Sequence, residues 1–188
     1  ILGSTAVSNP PIIWNNLPTP AVTKPNWTSF TNAQKINDLA QRDGLIWAAS
    51  DGGLLVWQEN DLNQVAKFTT EHGLAENKAS SVAVGIDSTI WVGTASAGVS
   101  RFAGTAWQTF TIDDGLPDNR VRDVAIAADG TVWVATANGI GRYDGRRWFR
   151  YDRNRTLLQL PSNNVTSLAI APDGATIYAG TVEAVVQF

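Results

Sequence analysis

Four aromatic-centred strands at one spacing constrain this chain more than any other feature. "GLIWAASDGGLLVW" starts at Gly44, "STIWVGTASAGVSRF" at Ser88, "GTVWVATANGIGRY" at Gly130 and "ATIYAGTVEAVVQF" at Ala175. Their anchors, Trp47, Trp91, Trp133 and Tyr178, stand 44, 42 and 45 residues apart. Three further registers keep that period: Phe30, Phe68, Phe110 and Tyr151; Asp43, Asp87, Asp129 and Asp173; and Asn77, Asn119 and Asn163. One short-stranded unit cannot bury its apolar face alone, but units stacked side by side can. The repeat therefore predicts an all-β fold, a β-propeller of four-stranded blades with four repeats in the chain.

Each repeat parses into strands A to D. Strand A reads "INDLA", "SSVAV", "RDVAI" or "TSLAI". An Asp-bearing turn comes next, for which Asp-Gly suggests type I′ geometry, because both central residues then need positive φ. Strand B carries the Trp, and a Gly-bearing turn leads to strand C. Strand D has the pattern W-x-x-F or W-x-x-Y at Trp27–Phe30, Trp107–Phe110 and Trp148–Tyr151, with Val65–Phe68 as a weaker copy. Ala40, Ala83, Ala125 and Ala169 recur on the innermost strand, where small residues fit a crowded axis. No stretch holds a helical period.

The segment "GLPDNRVRDVAIAADGTVWVATANGIGRY", Gly115 to Tyr143, resembles the two-component regulator propeller repeat, whose pattern runs close to G-L-P-x-N-x-V-x-x-I-x-x-D-x-x-G-x-x-W-x-G-T-x-x-G-L-x-R-Y. The resemblance spans about Trp27 to Phe188. The first repeat departs from it by lacking the G-L-P-x-N lead-in. The fourth departs at "VEAVVQF", which lacks the usual Gly, and by an insertion around "NRTLLQL". The resemblance implies a propeller, and with it a ligand-sensing domain of a membrane signalling protein, often extracytoplasmic.

Residues 1–26 have another texture. They hold five of the eight prolines, which forbids helix and disfavours interior strands, so an extended arm or linker is expected there, ahead of a propeller over 27–188. The propeller region opens with a strand D, 27–30, and closes with a strand C, 185–188. Pairing these terminal strands would close the last blade, within the chain or between two chains, and remove two open edges. The strand count favours closure over an excised piece of a longer ring. Exchange between two chains would give an eight-bladed ring.

Composition narrows the function. There is no Cys, so disulfides, thiolate catalysis and Cys-based metal sites are excluded. The chain also lacks Met, as a processed form or an excised domain would. Net charge is −3, which gives no global attraction to nucleic acid. No apolar run is long enough for insertion into a membrane. His72 is the sole histidine, so multi-His zinc sites and His-pair acid–base catalysis are excluded. One Asp per turn, without a D-x-D-x-D-G ladder, reads as a turn residue rather than a calcium ligand. The repeating Trp residues read as wedge fillers between blades.

Binding candidates lie where the repeat does not dictate the residue. The segment "TIDDGLPDNRVRD" and its counterpart "TTEHGLAENKAS" connect blades on one rim and supply Asp118, Arg120, Arg122, Asp123, His72 and Lys78 as candidate ligand contacts. The run "RYDGRRWFRYDRNR" offers Arg146, Arg147 and Arg150 to an acidic partner, although strand alternation sends them to different faces. Ile12, Ile13 and Trp14, in the arm, are candidate contacts to the propeller or to a neighbouring molecule. No cofactor, metal or catalytic residue is expected. The expected function is a non-catalytic, extracytoplasmic, sensor-type module binding an unidentified ligand or a protein, its own copy included. The alternatives are an assembly subunit self-associating through its arm or swapped strands, and a propeller lyase or glycosidase. The single His and the missing metal cluster stand against the last.

Overall fold

The computed structural model describes residues 35–59, 64–157 and 159–188. Expectations that fall on residues 1–34, among them the arm with Ile12, Ile13 and Trp14 and the strand 27–30, lie outside the described residues.

Four antiparallel sheets succeed one another along the chain. The first holds β1 (Ile36–Arg42), β2 (Leu45–Ser50), β3 (Gly53–Gln58) and β4 (Gln64–Phe68) in sequence order. The second holds β5 (Ala79–Val84), β6 (Ile90–Thr94), β7 (Val99–Phe102) and β8 (Trp107–Phe110). The third holds β9 (Val121–Ile126), β10 (Val132–Thr136), β11 (Gly139–Tyr143) and β12 (Trp148–Tyr151). The fourth has three strands among the described residues, β13 (Val165–Ile170), β14 (Ile177–Thr181) and β15 (Val185–Gln187). The first strands of successive sheets, β1, β5, β9 and β13, pack in series and form the inner wall. This is the propeller arrangement that the repeat requires.

The core lies between blades, as wedge packing demands. Between the second and third blades, Trp91 stacks on Phe110 with ring centroids 5.6 Å apart, and Trp148 meets Trp91 edge-on at 6.1 Å. Leu116, Val121, Val124 and Tyr143 complete this cluster. Trp47, Phe68, Phe102 and Trp107 repeat it between the first and second blades. The recurring alanines sit directly across from the blade aromatics: Ala40 pairs with Trp47, Ala83 with Trp91, Ala125 with Trp133 and Ala169 with Tyr178. A small residue there makes room for the large ring on the adjacent strand.

The A–B turns differ from the uniform type I′ expectation. Only Asp43–Gly44 is a two-residue turn with both φ values positive, 52° and 74°. At the other three turns only the residue after Asp is left-handed, namely Ser88, Gly130 and Gly174. There the Asp carboxylate accepts the N–H two residues on: Asp87 from Thr89 at 3.1 Å, Asp129 from Thr131 at 2.9 Å and Asp173 from Ala175 at 2.9 Å. The longer loop lets the Asp side chain replace a ladder bond, so Asp itself needs no positive φ.

Candidate functional site

The inner strands carry the first candidate site. An inner strand has no ladder partner on its axial side, so its outward N–H and C=O groups need another neighbour. Each inner strand carries a bulge, at Asn37, Ser80, Arg122 and Thr166. In the first three blades the bulged residue reaches forward to the next blade. Asn37 Nδ2 donates to Ala79 O at 2.8 Å, Ser80 Oγ to Val121 O at 2.6 Å, and Arg122 to Val165 O at 3.4 Å. The residue after the bulge accepts from the same blade. Asp38 Oδ2 takes Val82 N–H at 2.9 Å, Ser81 Oγ takes Val124 N–H at 3.0 Å, and Asp123 Oδ2 takes Leu168 N–H at 2.7 Å. Ser81 Oγ lies between the two carboxylates, 2.8 Å from Asp38 and 3.2 Å from Asp123. Adjacent blades are thus fastened by a paired donor and acceptor.

Two of the ligand candidates, Arg122 and Asp123, belong to this fastening; Arg122 also donates to Asn164 Oδ1. Burial raises the Asp123 carboxyl above its ordinary value, against the lowering effect of the N–H and hydroxyl groups it accepts. The signal for this role was present in the sequence as the polar pairs Asn37–Asp38, Ser80–Ser81, Arg122–Asp123 and Thr166–Ser167, near the start of every strand A.

The remaining rim candidates sit on the connections between blades. His72 Nδ1 accepts Thr69 N–H at 3.2 Å and closes the cap of a short 3₁₀ turn, so its ring is part of the connection. Asp118 accepts Arg120 N–H at 2.8 Å, and the Arg120 side chain lies 3.5 Å from the same carboxylate while projecting into solvent. Lys78 is exposed. The recurring asparagines fold the connections: Asn77 Oδ1 takes Thr70 N–H at 2.8 Å, Asn119 takes Ile112 N–H at 2.9 Å and Asn163 takes Arg153 N–H at 2.7 Å.

The arginine run is divided. Arg147 lies over the Phe149 ring at 4.5 Å, and Arg142 approaches the same ring at 5.6 Å. Arg150 turns away to donate to Pro117 O at 3.3 Å. Arg146 is exposed, and its N–H is held by Asp144 at 2.9 Å.

A cleft of about 510 Å³ between the third and fourth blades is a feature that the repeat pattern conceals. Trp133, Tyr151, Arg142, Asp129, Asp173 and Ile177 line it. Trp133 stacks on Tyr151 at 5.9 Å, and Arg142 lies 5.8 Å from its ring centre. The related gap between the second and third blades holds about 250 Å³, because Tyr143 and Trp148 cover Trp91 there. The repeat made Trp133 look like Trp91; the difference lies in the outer strand of the next blade. Among the described residues, no cluster of three or more His, Asp or Glu is placed to hold a metal ion.

The model for the two component regulator propeller matches residues 115–138, the segment that carries the resemblance seen in the sequence. Similar solved structures share the fold at low identity. The extracellular domain named for the hybrid two component system BT3049 of B. thetaiotaomicron is 15% identical with a TM-score of 0.58, over 82% of this chain and 28% of that one. This chain thus spans little more than a quarter of that domain. The computationally designed protein Ika4 is 14% identical with a TM-score of 0.63, over 84% of this chain and 92% of its own. A catalytically inactive virginiamycin B lyase from Staphylococcus aureus, bound to quinupristin, is 16% identical with a TM-score of 0.57, over 82% of this chain and 55% of that one. No curated protein matches by sequence.

Proposed function

We propose that this chain is a non-catalytic, extracytoplasmic binding module of sensor type, and that it presents its ligand- or protein-binding surface on the rim of blade connections. One observation carries the reading. The recurring leucines and asparagines of the connections are spent on the scaffold, whereas Lys78 and Arg120, at a position that changes between repeats, are exposed. Leu74, Leu116 and Leu160 in the connections are buried. Between them and the next strand the chain varies through Glu76, Asp118 and Ser162, then Lys78, Arg120 and Asn164. A scaffold that holds its connections by side-chain caps can vary those positions without loss of fold, which is how loops on rigid frames acquire binding specificity. The sole His is engaged in a cap, which supports a binding role over acid–base chemistry. The extracellular two component relative supports placement outside the cytoplasm, and no helix of the described residues is long and apolar enough to cross a membrane.

The test is calorimetric titration of the whole chain with panels of oligosaccharides and acidic peptides, wild type against the double variant Lys78→Glu/Arg120→Glu. Binding that the double reversal abolishes, with melting unchanged, supports the reading. Binding indifferent to the reversal moves the surface off this rim, and turnover of any panel member overturns the non-catalytic assignment.

A further inference from the structure

The A–B turns lie at the ends of the inner strands, on the rim opposite the blade connections. The cleft between the third and fourth blades opens beside two of these turns, and its lining holds chemistry that wedge packing does not use. Its floor is apolar, made by Trp133, Tyr151 and Ile177. Arg142 stands beside Trp133, and Asp129 and Asp173 enter from the two turns.

Arg142 is positioned by rings. It is the register partner of Trp133 on β10 and of Phe149 on β12, so the three side chains share one face of the third blade. Its guanidinium lies 5.8 Å from the Trp133 ring centre and 5.6 Å from that of Phe149. Among the described residues its side chain makes no hydrogen bond and no ion pair. A planar fork fixed by ring contacts, with its N–H edge unspent, is preorganised for a carboxylate. The same Arg–Trp pair occurs one blade earlier, where Arg101 lies 5.5 Å from the Trp91 ring centre. There the interface is closed: Tyr143 and Trp148 pack on Trp91, and Arg101 Nε is shut away from solvent. In the third blade the arginine borders about 510 Å³ of open space instead.

The carboxylates are as firmly placed. Asp129 Oδ1 accepts Thr131 N–H at 2.9 Å, and Asp173 Oδ1 accepts the N–H groups of Ala175 and Thr176, both at 2.9 Å. The N–H of Thr131 and that of Thr176 hold the two carboxyls below their ordinary value, which keeps both anionic. The turns abut, since a Cβ on Gly174 would come within 2.9 Å of the Ala128 Cβ. Arg142 and Asp129 feel each other's charge without forming an ion pair. Both signs of charge therefore stand in one cleft, unpaired with each other, over an aromatic floor.

We infer that this cleft is a binding site for a small zwitterion, an α-amino acid with an apolar side chain. Its carboxylate takes the Arg142 fork, its ammonium meets the Asp129 and Asp173 carboxylates, and its side chain lies on Trp133, Tyr151 and Ile177. Other classes of ligand leave part of the lining opposed or unsatisfied. An anion meets two carboxylates, and a cation meets the guanidinium. A wholly apolar molecule strips water from three charged groups without replacing it. A zwitterion complements each of them. The volume falls within the range of about 300–1,000 Å³ usual for small-molecule sites. The site lies on the opposite rim from the surface proposed above and stands independently of it.

Calorimetric titration of the full chain with L-phenylalanine, N-acetyl-L-phenylalanine, L-phenylalaninamide and maltose provides the test. L-Phenylalanine is expected to bind, and each capped derivative to bind at least about tenfold more weakly, since each loses one charge-assisted contact. Arg142→Gln should weaken L-phenylalanine to a similar degree without weakening the amide. The double variant Asp129→Asn/Asp173→Asn should do so without weakening the N-acetyl derivative. Should either variant melt early, the capped derivatives on the wild-type chain decide. Lys78→Glu/Arg120→Glu should bind L-phenylalanine as wild type does, which separates this site from the connection rim. Absence of L-phenylalanine binding at about 10 mM overturns the proposal. So do capped derivatives that match the parent, maltose that binds in its place, or binding lost in the Lys78→Glu/Arg120→Glu variant.

Discussion

The carboxylate of Asp123 accepts the backbone N–H of Leu168 at 2.7 Å, across the boundary between the third and fourth blades. Its other oxygen takes Val124 N–H at 2.8 Å and lies 3.2 Å from Ser81 Oγ of the second blade. One side chain therefore ties three consecutive blades. Asp123→Ala would leave the Leu168 N–H without its partner at a packed interface, a loss of about 1–3 kcal/mol. Urea unfolding measures it. The same assay on Asp113→Ala, an exposed connection residue, should register within about 0.5 kcal/mol of wild type.

The pH dependence of that fastening runs opposite to the turn aspartates. Burial raises the Asp123 carboxyl, so its proton is held more tightly in the folded chain than in the unfolded one. Its titration therefore favours the fold at low pH, and that contribution is lost as pH rises through the folded-state value. Asp129 is shifted downward by the Thr131 backbone N–H and hydroxyl, and Asp173 by Thr176. Their contribution is present above the unfolded value and is lost as pH falls through the folded one. The stability advantage of wild type over Asp123→Asn should thus shrink between about pH 3.5 and about pH 7, while the advantage over Asp129→Asn should grow. Denaturant midpoints at the two pH values decide it. A difference for Asp123→Asn that grows with pH would contradict the assignment.

The blade was legible in the sequence because packing imposes the same demand in every wedge. Trp47, Trp91 and Trp133 fall on strand B, and the alanines that face them were visible at the same period. What escaped were relations that link one repeat to another. Arg122 and Asp123 looked like free polar groups in a connection, and only the stacking of sheets turns them toward Val165 and Leu168. A one-dimensional reading sees the residue and its period, but not which orphaned N–H lies across the gap. The Trp133 cleft escaped for a related reason: Trp133 holds the same place in its blade as Trp91, and only the residues of the neighbouring blade make the difference, Tyr143 and Trp148 packing on Trp91 where Phe188 packs on Trp133.

Two glycines with almost equal backbone angles separate conformational strain from steric exclusion. Gly98 has φ +87° and Gly104 has φ +88°. A Cβ on Gly104 would meet nothing within 4 Å, whereas on Gly98 it would strike the carbonyl oxygen of Phe110, with the carbonyl carbon at 3.1 Å. Gly104→Ala should lose only the left-handed strain, about 1 kcal/mol. Gly98→Ala should lose that plus the displacement of β8 from its pairing, at least about 2 kcal/mol more. Thermal and urea unfolding of the two variants would compare them directly. Equal losses would show that the Phe110 carbonyl yields freely and that the outer strand is loosely held.

The two blade tryptophans provide a similar contrast in packing. Trp91 is buried among Phe110, Tyr143 and Trp148, whose ring centres lie 5.4 to 6.1 Å away. Truncation to Ala there empties a closed core, and a loss of about 3–5 kcal/mol is expected. Trp133 packs on Tyr151 and Phe188 and faces the open cleft with its remaining edge. Part of its surface already meets solvent, and no closed cavity forms when it is removed. In a single chain, Trp133→Ala should therefore cost about half as much as Trp91→Ala, or less. Unfolding at a concentration where the chain is monomeric gives the comparison. Equal costs for the two variants would contradict the open setting of Trp133.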